Sequence, residues 1–165
     1  MERRLFVKRT ALLSSLALVA SPSALLADEA PQNEINISPL LSQGNNLKIT
    51  GLIIDSESKK AINATIEIKT GYGIFGRTKR MNTLQGGYAI KSKMSKNDNK
   101  KVKITIEAEG YKTYQGHLYL NGQGCAIHTD MWKYNPKFNA ENIPQNKNTS
   151  EGIHATFNIP LVKTV

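Results

Sequence analysis

Three histidines, one cysteine and one tryptophan are scattered through 165 residues, so few of the side chains most used in metal and redox chemistry are present. A single cysteine, Cys125, excludes an intramolecular disulfide framework and any zinc centre built from four cysteines. The apolar run at residues 11–20 falls well short of the roughly 20 residues that span a bilayer. No Gly-x-Ser-x-Gly, Walker-type phosphate loop or His-Glu-x-x-His occurs, which removes the common hydrolase, nucleotide-binding and metalloprotease signatures. The Gly-rich stretch Gly71-Tyr-Gly-Ile-Phe-Gly76 lies between predicted strands, not ahead of a helix, and so lacks the setting of a phosphate cradle. Beyond residue 27 no apolar stripe of helical period and length is present.

Positive charge is what the chain has in excess. There are 22 Lys and Arg against 13 Asp and Glu, a formal net charge of +9. Residues 1–27 hold four basic groups and one acid, so the remainder carries +6, mostly as lysines among Asn, Ser and Gln. That dispersed pattern does not indicate nucleic acid as a partner. The densest part, residues 91–103, holds six lysines and one aspartate, and reads as a solvated edge hairpin or as a surface for anionic lipid or polysaccharide.

Residues 1–27 read as a targeting peptide. Arg3, Arg4, Lys8 and Arg9 precede the short apolar run, and a small-residue region ends at Ala27, the expected cleavage position, with Ala24 as alternative. Arg3-Arg4-Leu-Phe-Val-Lys8 resembles the bacterial twin-arginine signal, with Glu2 and Val7 as mild departures. The expectation is a periplasmic or secreted protein, exported folded by the twin-arginine translocase, with no membrane span in its mature form.

Residues 28–46, rich in Pro, Asn, Gln and Ser, are expected to form an extended lead-in. From residue 47 a period of two takes over. Ala64, Ile66 and Ile68 alternate with polar residues, as do Val102, Ile104 and Ile106, then Gly116, Leu118 and Leu120, then Ala155, Phe157 and Ile159. Further strands are expected at 47–55, 74–82 and 87–93, with turns at Gln85-Gly-Gly, Lys96-Asn-Asp-Asn and Asn121-Gly-Gln-Gly. About seven short strands predict a single all-β sandwich of transthyretin-like or immunoglobulin-like form over residues 47–165. Residues 121–152 are expected to form a polar surface excursion anchored by Trp132, Tyr134 and Phe138.

In order, these segments resemble the core of the intradiol ring-cleavage dioxygenases, the catechol and protocatechuate enzymes. Leu47-Lys-Ile-Thr-Gly-Leu-Ile-Ile-Asp55 with Lys60-Ala-Ile-Asn-Ala-Thr-Ile-Glu-Ile68 is similar to the family's opening strands. Phe75-Gly-Arg77, Gly86-Gly-Tyr-Ala-Ile-Lys91, Gln115-Gly-His-Leu-Tyr-Leu-Asn-Gly122 and Ala155-Thr-Phe-Asn-Ile-Pro-Leu161 resemble later ones. A second resemblance, carried by Gly51, Asp55, Ala64, Gly87-Tyr88 and Gly110-Tyr111, is to regulatory β-sandwich modules of carboxypeptidases and outer-membrane transporters; the fold expectation is the same.

The intradiol resemblance implies ferric iron held by two tyrosines and two histidines, the latter as His-x-His on one strand. Here the corresponding strand is Lys101-Val-Lys-Ile-Thr-Ile106, without histidine, and only Tyr72 stands where the first tyrosine belongs. The reading is therefore a non-catalytic binding protein without a cofactor, its iron ligands lost. The alternative is a divergent ring-cleavage dioxygenase, or another metal-dependent oxidoreductase acting on aromatic compounds, using Fe(III) or copper. Its candidate ligands are Tyr72, His117, Cys125 and His128, since Cys125-Ala-Ile-His128-Thr-Asp-Met131 has the ligand types of a blue-copper loop. His154 reads as a solvated side chain. Candidate binding residues are Trp132, Tyr134 and Tyr119, aromatic groups suited to a saccharide, peptide or protein partner.

Overall fold

The computed structural model describes residues 33–39, 42–71, 76–130 and 142–164. Among them are eleven strands and no α-helix, arranged as two sheets that enclose one apolar core. No helix of the described residues is long and apolar enough to cross a membrane.

The first sheet contains β1 (Glu34–Asn36), β2 (Asn45–Asp55), β5 (Gly87–Met94), β9 (Gln145–Thr149), β10 (Gly152–Thr156) and β11 (Ile159–Leu161). Its order is β1-β5-β2-β10-β9, with β11 also paired to β2. The second is β4-β3-β6-β7-β8, from β3 (Thr65–Thr70), β4 (Arg77–Asn82), β6 (Asn99–Glu107), β7 (Tyr114–Asn121) and β8 (Gly124–Thr129).

Period-two alternation divides each strand between core and solvent. On β6, Val102, Ile104 and Ile106 are buried while Lys101 and Lys103 point out; on β7, Leu118 and Leu120 are buried while Tyr119 is exposed. The two inner faces meet through fully buried Ile49, Ile66, Ile90, Ile104 and Leu118 among others, each burial contributing about 1.5–3 kcal/mol.

Several elements differ from the sequence expectation. Residues 121–152 contain β8 and β9, not only a surface excursion. β9 is polar and exposed throughout, so no alternation marks it. Upstream of residue 47, β1 and the start of β2 already belong to the first sheet. The basic run 91–103 is not an edge hairpin: β5 and β6 lie in different sheets, each paired on both sides.

The closing segment is two strands, β10 and β11, which run parallel to successive parts of β2. Between them Phe157 and Asn158 step out of register, and Asn158 Oδ1 accepts the Leu52 N–H at 3.0 Å. Gly51 permits the step. A Cβ there would lie 1.7 Å from the Phe157 carbonyl oxygen, which also accepts a 2.8 Å hydrogen bond from the Tyr88 hydroxyl. The far edges of the two sheets are joined by Asn146 on β9. Its amide accepts from the Cys125 N–H at 2.9 Å and donates to the Cys125 carbonyl at 3.0 Å.

At the end of β2, the buried Asp55 carboxylate accepts the N–H groups of Ser58 and Glu57, at 2.7 and 2.9 Å, and the Tyr111 hydroxyl at 2.9 Å. Lys163 Nζ lies 3.4 Å away. The Ser58 N–H and then the Tyr111 hydroxyl hold this carboxyl well below the usual carboxylate range.

Gly51→Ala should cost about 3 kcal/mol of unfolding free energy, and Tyr88→Phe about 1–2 kcal/mol because the buried carbonyl loses its donor; chemical denaturation measures both. Because the folded-state pKa of Asp55 is depressed, its stabilisation is present above the unfolded value near 4 and is lost as pH falls below it. Wild-type melting temperature should drop through that acid window, whereas Asp55→Asn should melt several degrees lower at neutral pH and show a shallower acid decline.

Candidate functional site

The structure sorts the candidate ligands by sheet face. β7 and β8 are antiparallel, and His117 pairs directly with His128 on the outer face of the second sheet. Tyr119 stands on the same face, its ring centroid 6.5 Å from that of His117, and Lys101 Nζ sits 5.7 Å from the Tyr119 ring centroid. Lys103 is the cross-strand neighbour of His117. Partial burial, then the Lys101 and Lys103 ammoniums and His128, push His117 below the ordinary imidazole value, with Asp130 opposing them. His154 lies in the other sheet, half-buried and not simply solvated, its Nε2 sharing a 2.7 Å hydrogen bond with Thr50 Oγ1.

Cys125 does not join the histidines. It pairs with Leu120 and is buried, while His128, three residues on, faces solvent; a strand cannot turn both side chains to one ion. Burial pushes the Cys125 thiol up to about 12, away from the thiolate that a copper or zinc ligand must be. Of the alternative ligand set, His117 and His128 thus share the outer face and Cys125 lies on the inner one. Tyr72, Trp132, Tyr134 and the signal residues Arg3, Arg4 and Ala27 lie outside the described residues.

Ferric iron of the intradiol type requires tyrosinates. Burial raises Tyr88 and Tyr114, Tyr88 donates to the Phe157 carbonyl, and Tyr111 donates to Asp55; these three phenols serve the fold. The described donors on the histidine face do not fit the ion. Two imidazoles and one exposed phenol are interleaved with two ammoniums, and no three His, Cys, Asp or Glu side chains among the described residues come together as a metal group.

A concave site appears on the opposite sheet, where the sequence reading placed none. Cross-strand register aligns Asn36, Lys91, Lys48, His154 and Lys147 in one row over β1, β5, β2, β10 and β9. Over this row the chain after β1 and the β9–β10 turn form walls around a cleft of about 440 Å³, lined by Asn36, Ser38, Lys48, Lys91, Lys93 and His154 among others. Glu34 holds Lys91 at 2.9 Å, and Glu151 is the acidic residue in the lining. No single spacing in the chain could have revealed this site, since its residues come from positions 36, 48, 91 and 154.

No family model matches the chain, and no curated protein matches it in sequence. Solved structures do match. The fold is that of the catechol dioxygenases. Over 82% of this chain and 66% of the other, it is similar to 3-chlorocatechol 1,2-dioxygenase from Rhodococcus opacus 1CP, with 11% identity and a TM-score of 0.56. Catechol 1,2-dioxygenase from Acinetobacter sp. ADP1, in its mercury-inhibited form, gives 12% identity, 81% and 58% coverage, and a TM-score of 0.52. The dioxygenase domain of a dioxygenase carbohydrate-binding protein fusion from Streptomyces sp. SirexAA-E gives 13%, 82% and 92%, and 0.50. The chain thus spans less than two thirds of the length of the first two enzymes, and identities this low carry the fold alone.

The burial of Cys125 is open to direct test. In native protein at pH 8 its thiol should react with an aromatic disulfide reagent at least a hundred-fold more slowly than after guanidinium unfolding; equal rates would contradict the inward orientation.

Proposed function

We propose that this chain is an exported binding protein of the bacterial cell envelope, built on the dioxygenase fold without its iron chemistry, and that it acts by holding a hydrophilic ligand in the cleft on the first sheet. The observation that carries the reading is on β6. Where the intradiol resemblance implies His-x-His, this strand presents Lys101 and Lys103 side by side on its outer face. Two ammoniums repel the ion that two imidazoles would bind. The cleft supports the binding half of the reading: about 440 Å³ is within the range of about 300–1,000 Å³ typical of small-molecule sites. Export rests on Arg3, Arg4 and the region ending at Ala27.

His117 paired with His128 beside Tyr119 keeps an enzymatic reading specific enough to test. Mature protein purified after export from iron-replete cells should contain far less than one iron per chain and should consume no oxygen with catechol. Stoichiometric iron that disappears in both His117→Ala and His128→Ala, together with oxygen uptake, would overturn the proposal.

A further inference from the structure

The cleft on the first sheet has a composition that defines its ligand more narrowly. Its lining includes three ammonium groups, from Lys48, Lys91 and Lys93, and Lys147 stands beside His154 at the next strand. Opposing carboxylates are Glu151 in the lining and Glu34 on Lys91. Four positive charges thus meet two negative ones, and Lys48 and Lys93 have no carboxylate partner among the described residues. Asn36, Asn46, Ser38, Ser150 and Thr149 add neutral amides and hydroxyls, of which the Asn46 amide donates to the Glu151 carbonyl at 3.2 Å, the Thr149 hydroxyl donates to the Gly152 carbonyl at 2.8 Å and the Asn36 Oδ1 accepts the Ser38 N–H at 2.9 Å; the Asn36 NH2 and the Ser38 and Ser150 hydroxyls face a ligand.

No Phe, Tyr or Trp lines the cleft; its one ring is the half-buried imidazole of His154, already bonded to Thr50 Oγ1 at 2.7 Å, and its apolar members, Leu47 and Ile153, are almost wholly buried in the core beneath. A flat aromatic ligand finds no Phe, Tyr or Trp to stack on. The two unpartnered lysines favour a negative group, the excess charge favours a single or double anion, and the surrounding amides and hydroxyls favour a ligand bearing several hydroxyls. Lysines are point charges without the fork that matches phosphate or carboxylate in two bonds, so the neutral groups must orient the ligand.

We infer that this cleft binds a carboxylated, polyhydroxylated ligand, an acidic sugar, with Lys48 and Lys93 taking the carboxylate and the Asn and Ser side chains taking hydroxyls. The inference rests on the binding reading above and names its ligand class. The sugar can be a free hydroxy acid or a unit of an acidic polysaccharide, and the experiment separates these sources.

The test is calorimetric titration of the mature chain with galacturonate, trigalacturonate, gluconate and, as the uncharged control, galactose. Galacturonate should bind and galactose should bind at least ten-fold more weakly. Tighter binding of trigalacturonate identifies a polysaccharide source, whereas gluconate binding as well as galacturonate identifies a free acid. Lys48→Gln and Lys93→Gln, which remove the charge at exposed positions and keep a polar end, should each weaken galacturonate about ten-fold without moving the melting temperature. Lys101→Gln and Lys103→Gln on the opposite sheet should leave it unchanged. Equal affinity for galactose and galacturonate, undiminished binding in the Lys48 and Lys93 variants, or no binding of any of the four probes would overturn the inference. None of those outcomes bears on iron content or oxygen uptake, which judge the non-catalytic reading separately.

Discussion

Close approach of two backbones at Gly51 governs both the interior and the exterior of the first sheet. β2 is long, and its second edge is covered in two instalments by β10 and β11. The chain can change register between them only because the Phe157 carbonyl occupies the space a side chain at residue 51 would need. Past the step, β11 delivers Ile159 and Leu161 to the core; before it, β10 sets His154 opposite Lys48. A single missing methyl group therefore connects closure of the sandwich to construction of the cleft. Tyr88, from β5 on the other edge of β2, completes the arrangement by donating to the displaced carbonyl.

The pleat then converts one basic stretch of sequence into two separate surfaces. Residues 91–103 contribute Lys91 and Lys93 to the outer face of the first sheet and Lys101 and Lys103 to that of the second. Between them the chain crosses from sheet to sheet through the turn at Lys96 and Asn97, where Asp98 Oδ2 accepts the Ser95 N–H at 2.9 Å. Like charges that are adjacent in the chain end up on opposite sides of an apolar layer, which lowers their mutual repulsion. Apart from the Asp55 carboxylate at the end of β2 and a few neutral polar groups, the interior holds aliphatic side chains, neutral phenols and a neutral thiol, and the lysines stay on the outer faces.

The sandwich was legible where one face of a strand is apolar and the other is not. Ile66 and Ile68, Val102, Ile104 and Ile106, and Leu118 and Leu120 mark β3, β6 and β7 by alternation alone. That signal fails at β9, whose Gln-Asn-Lys-Asn-Thr has no apolar member because its strand lies at a sheet edge and only Asn146 has an inward task. It fails also at β8, where Gly124, Cys125 and Thr129 are buried without being large and apolar. His128 was read with Cys125 on the ligand types of a blue-copper loop, a spacing argument that holds for a loop but not for a strand, since an odd separation puts the two side chains on opposite faces. The cleft was illegible for a different reason: Lys48, Lys91 and His154 look like ordinary solvated strand positions until parallel and antiparallel pairing brings them into one row.

Both outer faces carry lysines, and shape decides between them as binding sites. At physiological salt the screening length is about 8 Å, so ammoniums on an open sheet face act on a ligand through water and mobile ions. Lys101 partly spends its charge on the Tyr119 ring, and Lys103 faces an imidazole that is itself surrounded by cations. In the cleft, walls from the chain after β1 and from the β9–β10 turn replace part of that water, which concentrates the field of the same kind of charge on a bound anion. The walls are backbone turns bearing amides and hydroxyls, some of them held by the backbone itself, as Asn46 is by the Glu151 carbonyl and Thr149 by the Gly152 carbonyl. Ordering a long, flexible lysine stem on an anion costs rotamer entropy, so the ion pair of Lys91 with Glu34 leaves that lysine better placed than its unpaired neighbours but with less net charge.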